Sequence, residues 1–486
     1  MIVFKSLFRW TKQPVCWAVA VALIYTAVTL FITIHLLHDS YHTSAFDLGI
    51  FTQDLKNTLQ GQILYSTAGQ YQLAHHFSPV LLLLVPVYWL FPYPQMLLVV
   101  QALLLAFGGY LVYILAREYN YSHRTGLILE GLYFINPLLW GVALFDFHEV
   151  AFAVPALLLM FLGWKKQNWF FFGFGLFIAL MTKEDVVLTL AVFGVVLMIA
   201  DYWQHRKVSK ISVIIFCSAF LTYGIGILVS RLFSGGGSAT ILSYFTSRYT
   251  YLSQPLSVGL PLAFHTVFSM DSVMLIIAYL SPLAFIPLLS PKWSISALVV
   301  LASGIFSTNV AQHTALRQYT AAAVPFLFIA FMEAFPKVMS HPRVQSVIKN
   351  TKNHTVAWSL LFIVIISGFL ISGGNIQFAS FPDAHDAAIN QIVALVPDNA
   401  TVTAGDLIFP HLCSRTDTYL NAVDGASLMP GSGIIHADWG FPAQDTEYVV
   451  IDVKNQLIPA SDLSVIFKQY TLTKNIDGVE LYKLDS

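Results

Sequence analysis

Charged residues are scarce in this 486-residue chain. Only 10% of its residues are Asp, Glu, Lys or Arg, whereas 57% are hydrophobic; an ordinary soluble domain carries roughly 25% charged residues. The formal net charge is -1, so the chain lacks the basic excess with which nucleic-acid-binding proteins neutralise phosphates. These scarcities exclude an ordinary soluble domain and a nucleic-acid partner, and they predict an integral membrane protein.

Cysteine is equally scarce. The chain has three, Cys16, Cys217 and Cys413, and the first two lie within apolar runs. Their number and placement support neither a disulfide framework nor a thiolate metal site.

The N-terminal segment carries basic residues before its first apolar run. Lys5, Arg9 and Lys12 precede the run 16–37, which at about 20 residues is long enough to cross a bilayer. A small-residue cleavage site does not follow this run, so the sequence predicts an uncleaved anchor with a cytoplasmic N-terminus rather than a signal peptide.

Long apolar runs divide most of the chain. We predict eleven membrane spans, at 16–37, 95–116, 125–145, 150–164, 168–182, 186–203, 211–232, 271–290, 293–309, 319–335 and 355–373. Most lysines and arginines then fall in connections on one side, which we assign to the cytoplasm. The run 79–91, about 13 residues, is short for a span and is predicted to lie at the outer interface.

An odd number of spans places the C-terminal residues 374–486 outside the cytoplasm. Helical spacing of apolar residues over 383–396 and short buried strands at 401–404 and 448–453 predict a small α/β domain there. Its predicted turns are Asp424–Gly425 and Asp477–Gly478.

The predicted fold therefore has two parts. Residues 1–373 form an all-α polytopic membrane domain with interfacial helices in its first outer loop, and residues 374–486 form the extracytoplasmic α/β domain. The protein is expected in the cell membrane as a multi-pass chain.

The first outer loop carries an acid in an apolar setting. Asp47 stands among apolar residues at 46, 48, 50 and 51, which sets its carboxylate near the headgroup boundary. Partial desolvation there favours the neutral form and raises the pKa of a carboxyl towards the range of a general base. The alternative is a helix cap or a solvated loop acid. His76 follows in the same loop.

A second group, Asp146, His148 and Glu149, joins two predicted spans through a very short turn. These side chains are candidate ligands for part of a divalent-cation site that Asp47 or His76 would complete. Each of them alone is equally explained as a turn residue that faces water or caps the next helix.

A third group, Lys183, Glu184 and Asp185, begins the predicted span 186–203. A local Lys–Glu surface ion pair would account for it and would contribute little stability. Alternatively, Lys183 holds a phosphate as a compact point charge.

Two arginines are further candidates. Arg317, with Tyr319 after it, precedes the tenth predicted span, and arginine binds phosphate oxygens bidentately. Arg248 lies in the loop 233–270, whose three glycines at 235–237 suit either an active-site lid or a disordered linker. Those glycines lack the strand-to-helix setting of a phosphate-binding loop, so no nucleotide cofactor is predicted.

Five stretches also carry a family resemblance: 46–51, 76–79, 144–148, 318–325, and 410–412 with Arg415. They resemble a family of predicted prokaryotic membrane proteins catalogued as a domain of unknown function, which is similar in layout to the GT-C glycosyltransferases. The resemblance covers most of the chain and is strongest between residues 44 and 185.

The GT-C resemblance implies a multispanning enzyme that takes a sugar from a polyprenyl-phosphate donor. It implies an essential acid in the first outer loop, matched by Asp47, and a further acid after the third span, matched by Asp146. Protein mannosyltransferases of this type tend to carry paired acids, whereas Leu48 follows Asp47 here. The sequence also lacks the Trp-Trp-Asp signature of oligosaccharyltransferases.

The resulting hypothesis is a glycosyltransferase that uses Asp47 as general base towards an extracytoplasmic acceptor hydroxyl. Lys183 and Arg317 would stabilise the departing lipid phosphate. Asp146, His148 and Glu149 would orient the acceptor or hold a cation. The remaining predicted substrate contacts are His76, Glu184, Asp185, Arg248 and Tyr319.

Two other functions remain open on the sequence. A flippase or transporter of lipid-linked sugars would need ionisable residues near the bilayer midplane, whereas Glu130 and Glu333 lie towards the cytoplasmic ends of their predicted spans. A non-catalytic subunit that assembles through its outer domain is the third reading.

Overall fold

The computed structural model describes residues 14–68, 70–235, 241–350, 379–415, 417–420, 446–454 and 469–485. They fall into two compact units. The first comprises Met1–Thr29, Ala74–Val80 and Gln101–Ile376, and the second comprises Leu30–Leu73, Leu81–Val100 and Gln377–Ser486.

The described chain is mostly helical. Its α-helices of eight or more residues are Pro14–Leu30, Ile50–Leu59, Gln95–Glu118, His123–Phe134, Pro137–Leu144, Ala153–Lys166, Trp169–Leu180, Glu184–His205, Lys210–Phe233, Ile241–Arg248, Leu256–Val267, Met270–Leu280, Pro291–Ile305, Ala323–Ser340, Pro342–Asn350 and Ala384–Val393. Two of them, Ile241–Arg248 and Leu256–Val267, lie within the loop predicted as a lid or linker, so that loop is largely helical.

Five helices of the described chain are long and apolar enough to cross a membrane: Pro14–His38, Gln95–Glu118, Glu184–His205, Lys210–Phe233 and Ala323–Ser340. The number rises to seven if two bent pairs each count as one span. The eleven predicted spans are therefore not confirmed, and the span at 355–373 lies outside the described residues.

Helix length explains much of this difference. The spans predicted at 150–164, 168–182 and 293–309 form helices of 14, 12 and 15 residues. At about 1.5 Å per residue these helices are about 18–23 Å long, which is shorter than the roughly 30 Å hydrocarbon core. Hydropathy detects the apolar stretch but not the length of unbroken helix within it.

The span predicted at 125–145 is broken by its own sequence. The helices His123–Phe134 and Pro137–Leu144 meet at an angle of 51°. Asn136 caps the second helix by accepting the backbone N–H of Leu138 at 3.0 Å, and Pro137 takes the first helical position, where it needs no hydrogen-bond donor.

Two short helices of the first unit, Ala153–Lys166 and Trp169–Leu180, pack closely through glycine. A Cβ atom on Gly163 would lie 2.2 Å from the backbone nitrogen of Phe172, and one on Gly175 would lie 2.5 Å from that of Met160. Small residues allow such close backbone approach in membrane helix pairs. The facing sides of both helices, with Phe161 and Phe172 among them, belong to the large apolar core of this unit.

The second unit contains a five-stranded sheet. With the short hairpin strands Tyr65–Ser66 as β1 and Gln70–Tyr71 as β2, its strands are β3 Val402–Ala404, β4 Thr418–Leu420, β5 Tyr448–Asp452, β6 Tyr470–Ile476 and β7 Val479–Leu484. The order is β4-β3-β5-β7-β6, parallel over the first three strands and antiparallel at β5-β7 and β7-β6.

The predicted α/β elements of this unit form with small shifts in their bounds. The helix predicted at 383–396 covers Ala384–Val393, with a capping box between Asp383 and Asp386. The turn between β6 and β7 is Asp477–Gly478, both with positive φ, 54° and 84°, as a tight hairpin requires. The turn predicted at Asp424–Gly425 and the predicted domain boundary at 373/374 lie outside the described residues.

Candidate functional site

The helix Glu184–His205 begins with a carboxylate that is held through both oxygens. Oε1 of Glu184 lies 2.7 Å from Nδ1 of His76, and Oε2 accepts the backbone N–H of Phe77 at 3.1 Å. Glu184 also occupies the first turn of its helix, where unpaired backbone N–H groups favour negative charge. These contacts fix the segment around His76 to the helix end.

A second ion pair is enclosed by the first unit. Nζ of Lys183 lies 2.9 Å from Oε1 of Glu149, and the two side chains are 7% and 0% exposed. The hydroxyl of Ser78 donates to the same oxygen at 3.4 Å. Burial alone would raise the pKa of Glu149, but the neighbouring charge of Lys183 and the hydrogen bond from it bring this pKa below its ordinary value. Glu149 is therefore ionised at neutral pH and balances Lys183.

The third pair joins Arg248 to Asp185. Nη1 of Arg248 lies 3.0 Å and 3.2 Å from the two carboxylate oxygens, and the guanidinium stands 5.9 Å from the ring centroid of Tyr319. The Arg248 side chain is 7% exposed and that of Asp185 is 42% exposed. A ligand anion that approaches from solvent would therefore meet this arginine by displacing Asp185.

The three pairs act on one another electrostatically. Burial sets the pKa of His76 well below its ordinary value, and Lys183 and Arg248 lower it further, against the opposite effects of Glu149 and Asp185. His76 is therefore neutral at neutral pH, and its contact with Glu184 is a hydrogen bond to a carboxylate. We call this group the charge cluster; its members are His76, Glu149, Lys183, Glu184, Asp185 and Arg248.

The turn that carries Asp146 is clamped by an amide. Asp146 has a φ of 37°, in the left-handed region that a non-glycine residue adopts only with support. Nε2 of Gln101 donates to the carbonyl of Asp146, and Oε1 of Gln101 accepts the backbone N–H of His148 at 2.9 Å. Sequence reasoning missed Gln101; its only signal was a lone amide inside the apolar helix Gln95–Glu118.

Arg317 reaches the same turn through an aromatic ring. Its guanidinium lies 4.6 Å from the ring centroid of Phe145, a cation–π distance, and the ring of His148 stacks on Phe145 at 5.5 Å. Phe145 thus places Arg317 beside the turn that presents Asp146.

Asp47 belongs to the second unit, in the short π-helix Ala45–Gly49. Asp406 caps this segment, because its Oδ1 accepts the Ser44 hydroxyl at 3.0 Å and the Ala45 backbone N–H at 2.8 Å. Burial raises the pKa of Asp406 to about 6, and the charge of Asp47 acts in the same direction. The two carboxyl groups therefore interact, and Asp406 is a candidate site residue that the sequence did not reveal.

The predicted cation site at Asp47, Asp146, His148 and Glu149 stays a prediction. In the described part of the chain, no group of three or more His, Cys, Asp or Glu side chains is arranged to hold a metal ion. The ion pair with Lys183 already neutralises Glu149, so the arrangement lends the cation no support.

The structure thus brings together residues from separate predicted turns. Glu149 of the second acidic group and all of the third group meet in one cluster with His76 and Arg248. His148 and Tyr319 adjoin members of it, whereas Arg317 lies over Phe145, beside Asp146. Asp47 lies in the other unit. The roles assigned to all these residues stay predictions.

The sequence of this chain matches the model of one known protein family. Residues 37–481 match the sequence model of DUF2079, described as "Predicted membrane protein (DUF2079)". A search of curated proteins found no match. The match covers most of the chain and agrees with its apolar helices, so this protein belongs to the DUF2079 family of predicted membrane proteins.

Proposed function

We propose that this protein is a membrane glycosyltransferase that transfers a sugar from a polyprenyl-phosphate donor to the hydroxyl of an acceptor on the outer side of the membrane. The observation that carries the proposal is the charge cluster. It holds two buried cations, Lys183 and Arg248, each within 3.0 Å of a carboxylate, at the ends of apolar helices where a lipid phosphate would arrive.

The cluster suits a leaving phosphate for an electrostatic reason. Lys183 and Arg248 are held in place before any ligand binds, so they need no reorganisation when negative charge develops on the phosphate. Glu149 and Asp185 keep the two cations neutralised in the meantime, because an unpaired buried charge is costly. A donor phosphate would exchange for the more exposed carboxylate of Asp185.

Asp47 is proposed as the general base. Its carboxylate would take the proton of the acceptor hydroxyl while the acceptor oxygen bonds to the anomeric carbon. The bond from that carbon to the phosphate oxygen breaks, and the polyprenyl phosphate leaves with the electron pair. Its position supports this role, because a second acid, Asp406, lies close enough for the charge of Asp47 to raise the pKa of Asp406.

The test compares cells that lack the protein with cells that carry the wild type, Asp47→Asn or the double variant Lys183→Met/Glu149→Gln, which removes both charges of the buried ion pair. Mass spectrometry of surface glycans and lipid-linked sugars is the measurement. We expect the wild type to restore a glycan that is missing from the deletion strain and both variants to fail at normal abundance. Asp39→Asn is the matched control, because Asp39 is a half-exposed acid paired with His35, and it should restore the glycan.

Restoration by Asp47→Asn would remove Asp47 from the mechanism. Complementation by both variants would instead support a non-catalytic subunit.

A transporter of lipid-linked sugars is the second candidate, and Glu130 favours it. This acid is 0% exposed within the helix His123–Phe134, and neither of its carboxylate oxygens has a hydrogen-bond partner among the described residues. Buried ionisable residues in membrane helices often mark transport routes. An unchanged glycan profile with an altered transbilayer distribution of lipid-linked sugar, reversed by wild type but not by Glu130→Gln, would replace the transferase proposal with this one.

A further inference from the structure

The second unit encloses a cavity that the proposed transferase chemistry does not use. Its volume is about 420 Å³, within the roughly 300–1,000 Å³ typical of small-molecule sites. It lies between the residues that follow the first helix, such as Ser40 and Tyr41, and the C-terminal elements that carry His385 and Asp452.

The charged groups of this cavity are already paired with one another. His385 bridges two acids, with Nε2 at 3.0 Å from Asp452 and Nδ1 at 2.9 Å from Asp477, and Lys454 forms a further ion pair with Asp477. Burial opposes the charged form of His385, but the two carboxylates outweigh it and raise its pKa. These four groups therefore need no balancing charge from a ligand.

Two further acids line the wall and cap the end of a helix. Asp383 accepts the backbone N–H groups of His385 at 2.7 Å and Asp386 at 3.0 Å, and Asp386 accepts that of Asp383 at 2.8 Å. A carboxylate has about four acceptor positions. These acids can therefore accept hydrogen bonds from a ligand while they cap the helix Ala384–Val393.

Part of the cavity wall is apolar. Ile389, Leu407 and Ile408 line it, and they offer contact area to carbon atoms. A ligand that fits both the acidic and the apolar parts of this lining is neutral, donates several hydrogen bonds and has an apolar face. Sugars have this combination, since their hydroxyls project from a ring whose C–H groups form a flat surface.

We propose that this cavity binds a neutral, hydroxyl-rich ligand of the size of one sugar residue, either a free sugar or the terminal residue of a glycan. Acceptors on Asp383, Asp386 and Asp452 receive hydroxyl hydrogens, and Lys454 donates to a ring or hydroxyl oxygen. The proposal does not require the protein to be a transferase.

Ligand binding to the full chain, purified in a detergent without a sugar headgroup, tests this. The probes are glucose, galactose, mannose, arabinose and N-acetylglucosamine, each as the free sugar and as its methyl glycoside. Binding is measured by saturation-transfer NMR at millimolar concentrations of the probe. Binding of at least one sugar is expected. Binding of free sugars alone indicates a soluble ligand, whereas binding of the methyl glycoside as well indicates the end of a glycan.

Two variants locate the binding. Asp452→Asn should weaken it by about tenfold or more, because a hydrogen bond to a charged acceptor is replaced by a weaker one. Leu407→Trp should abolish it by filling the cavity without touching the paired charges. Asp398→Asn is the matched control, since Asp398 is an exposed acid of the same unit, paired with Arg415, and it should bind as the wild type does.

Three results would overturn the proposal. One is that none of these sugars binds the wild type. Another is that spermidine or inorganic phosphate binds in this cavity while no sugar does. The last is that Leu407→Trp, with an unchanged unfolding temperature, binds sugar as the wild type does.

Discussion

Lys183 and Glu149 form an ion pair with a separation of 2.9 Å, and neither side chain is more than 7% exposed. A local partner for Lys183 was available next to it in sequence, at Glu184. That acid instead contacts His76. Because Lys183 pairs with Glu149 and not with its neighbour Glu184, the ion pair joins two turns of the chain and is a buried tertiary contact.

Removing one partner of this ion pair should destabilise the protein much more than removing both partners. Lys183→Met leaves the charge of Glu149 buried without its counter-ion, and we expect a loss of about 3–5 kcal/mol in the free energy of unfolding. Lys183→Met combined with Glu149→Gln should recover most of that stability. Unfolding of the purified protein in detergent measures both. Equal destabilisation by the single and the double variant would contradict the pairing, and glycan restoration by the double variant would contradict a phosphate-binding role for Lys183.

His385 should make the stability of the second unit depend on pH. Its pKa is raised above the ordinary 6.5, with burial opposing and Asp452 and Asp477 producing the rise. The folded state then holds the proton more tightly than the unfolded state, so the stabilisation is complete below pH 6.5 and is lost as the pH rises through the folded-state pKa.

Melting temperatures from pH 5 to 9 should show this decline in the wild type and not in His385→Gln. The other charged groups near this ring are Lys454, Asp383 and Asp386, and both proteins keep them. A pH profile unchanged by the substitution would remove His385 as its origin.

Asp406 should also make stability depend on pH, but here the folded state favours the neutral form of the group rather than the charged one. Its pKa is raised from 3.8 to about 6 by burial, with a contribution from Asp47, so the folded state favours the protonated acid. The stabilisation from that proton is complete below pH 3.8 and is lost as the pH rises towards 6. Asp406→Asn should therefore be more stable than the wild type at pH 7 and equal to it near pH 4, as measured by thermal unfolding in detergent.

A second substitution separates the charge of Asp406 from its cap. Asp406→Ala removes the side-chain acceptor for the Ser44 hydroxyl and the Ala45 N–H but keeps the backbone carbonyl, which also accepts the Ala45 N–H at 3.1 Å. Loss of the side-chain hydrogen bonds costs about 1 kcal/mol. We expect this variant to be less stable than Asp406→Asn at neutral pH. The reverse order would show that the cap contributes nothing.

Local patterns in the sequence predicted local structure well. The helix predicted from apolar spacing over 383–396 and the predicted Asp477–Gly478 turn both form, because each depends on residues within a few positions. Hydropathy likewise identified a membrane protein.

Long-range partners were not predictable in the same way. The contact of Glu149 with Lys183 and the electrostatic effect of Asp47 on Asp406 depend on which helices and loops pack together, and no periodicity encodes that. Gln101 was hidden for the same reason, since its role as a clamp exists only once the Asp146 turn lies against it.

Gly141 offers a test of the packing beside Arg317. A Cβ atom there would lie 2.0 Å from the carbonyl oxygen of Ala315 and 3.1 Å from the backbone of Leu316, so Gly141→Ala must push away the segment that leads to Arg317. Such overpacking typically costs about 1–3 kcal/mol. Gly131→Ala, in the preceding helix, is the matched control, because its Cβ would meet no described atom within 4 Å.

The two alanine substitutions should therefore have opposite signs. Gly131→Ala replaces a glycine with a residue of higher helix propensity and should stabilise the helix by up to about 1 kcal/mol. Gly141→Ala should instead lower the unfolding temperature in detergent. If Arg317 contributes to phosphate binding, Gly141→Ala should also reduce restoration of the glycan, because the cation–π contact that holds the guanidinium on Phe145 depends on the position of this segment. Equal stability of the two variants would show that helix Pro137–Leu144 and residues 315–316 do not pack as closely as the structure places them.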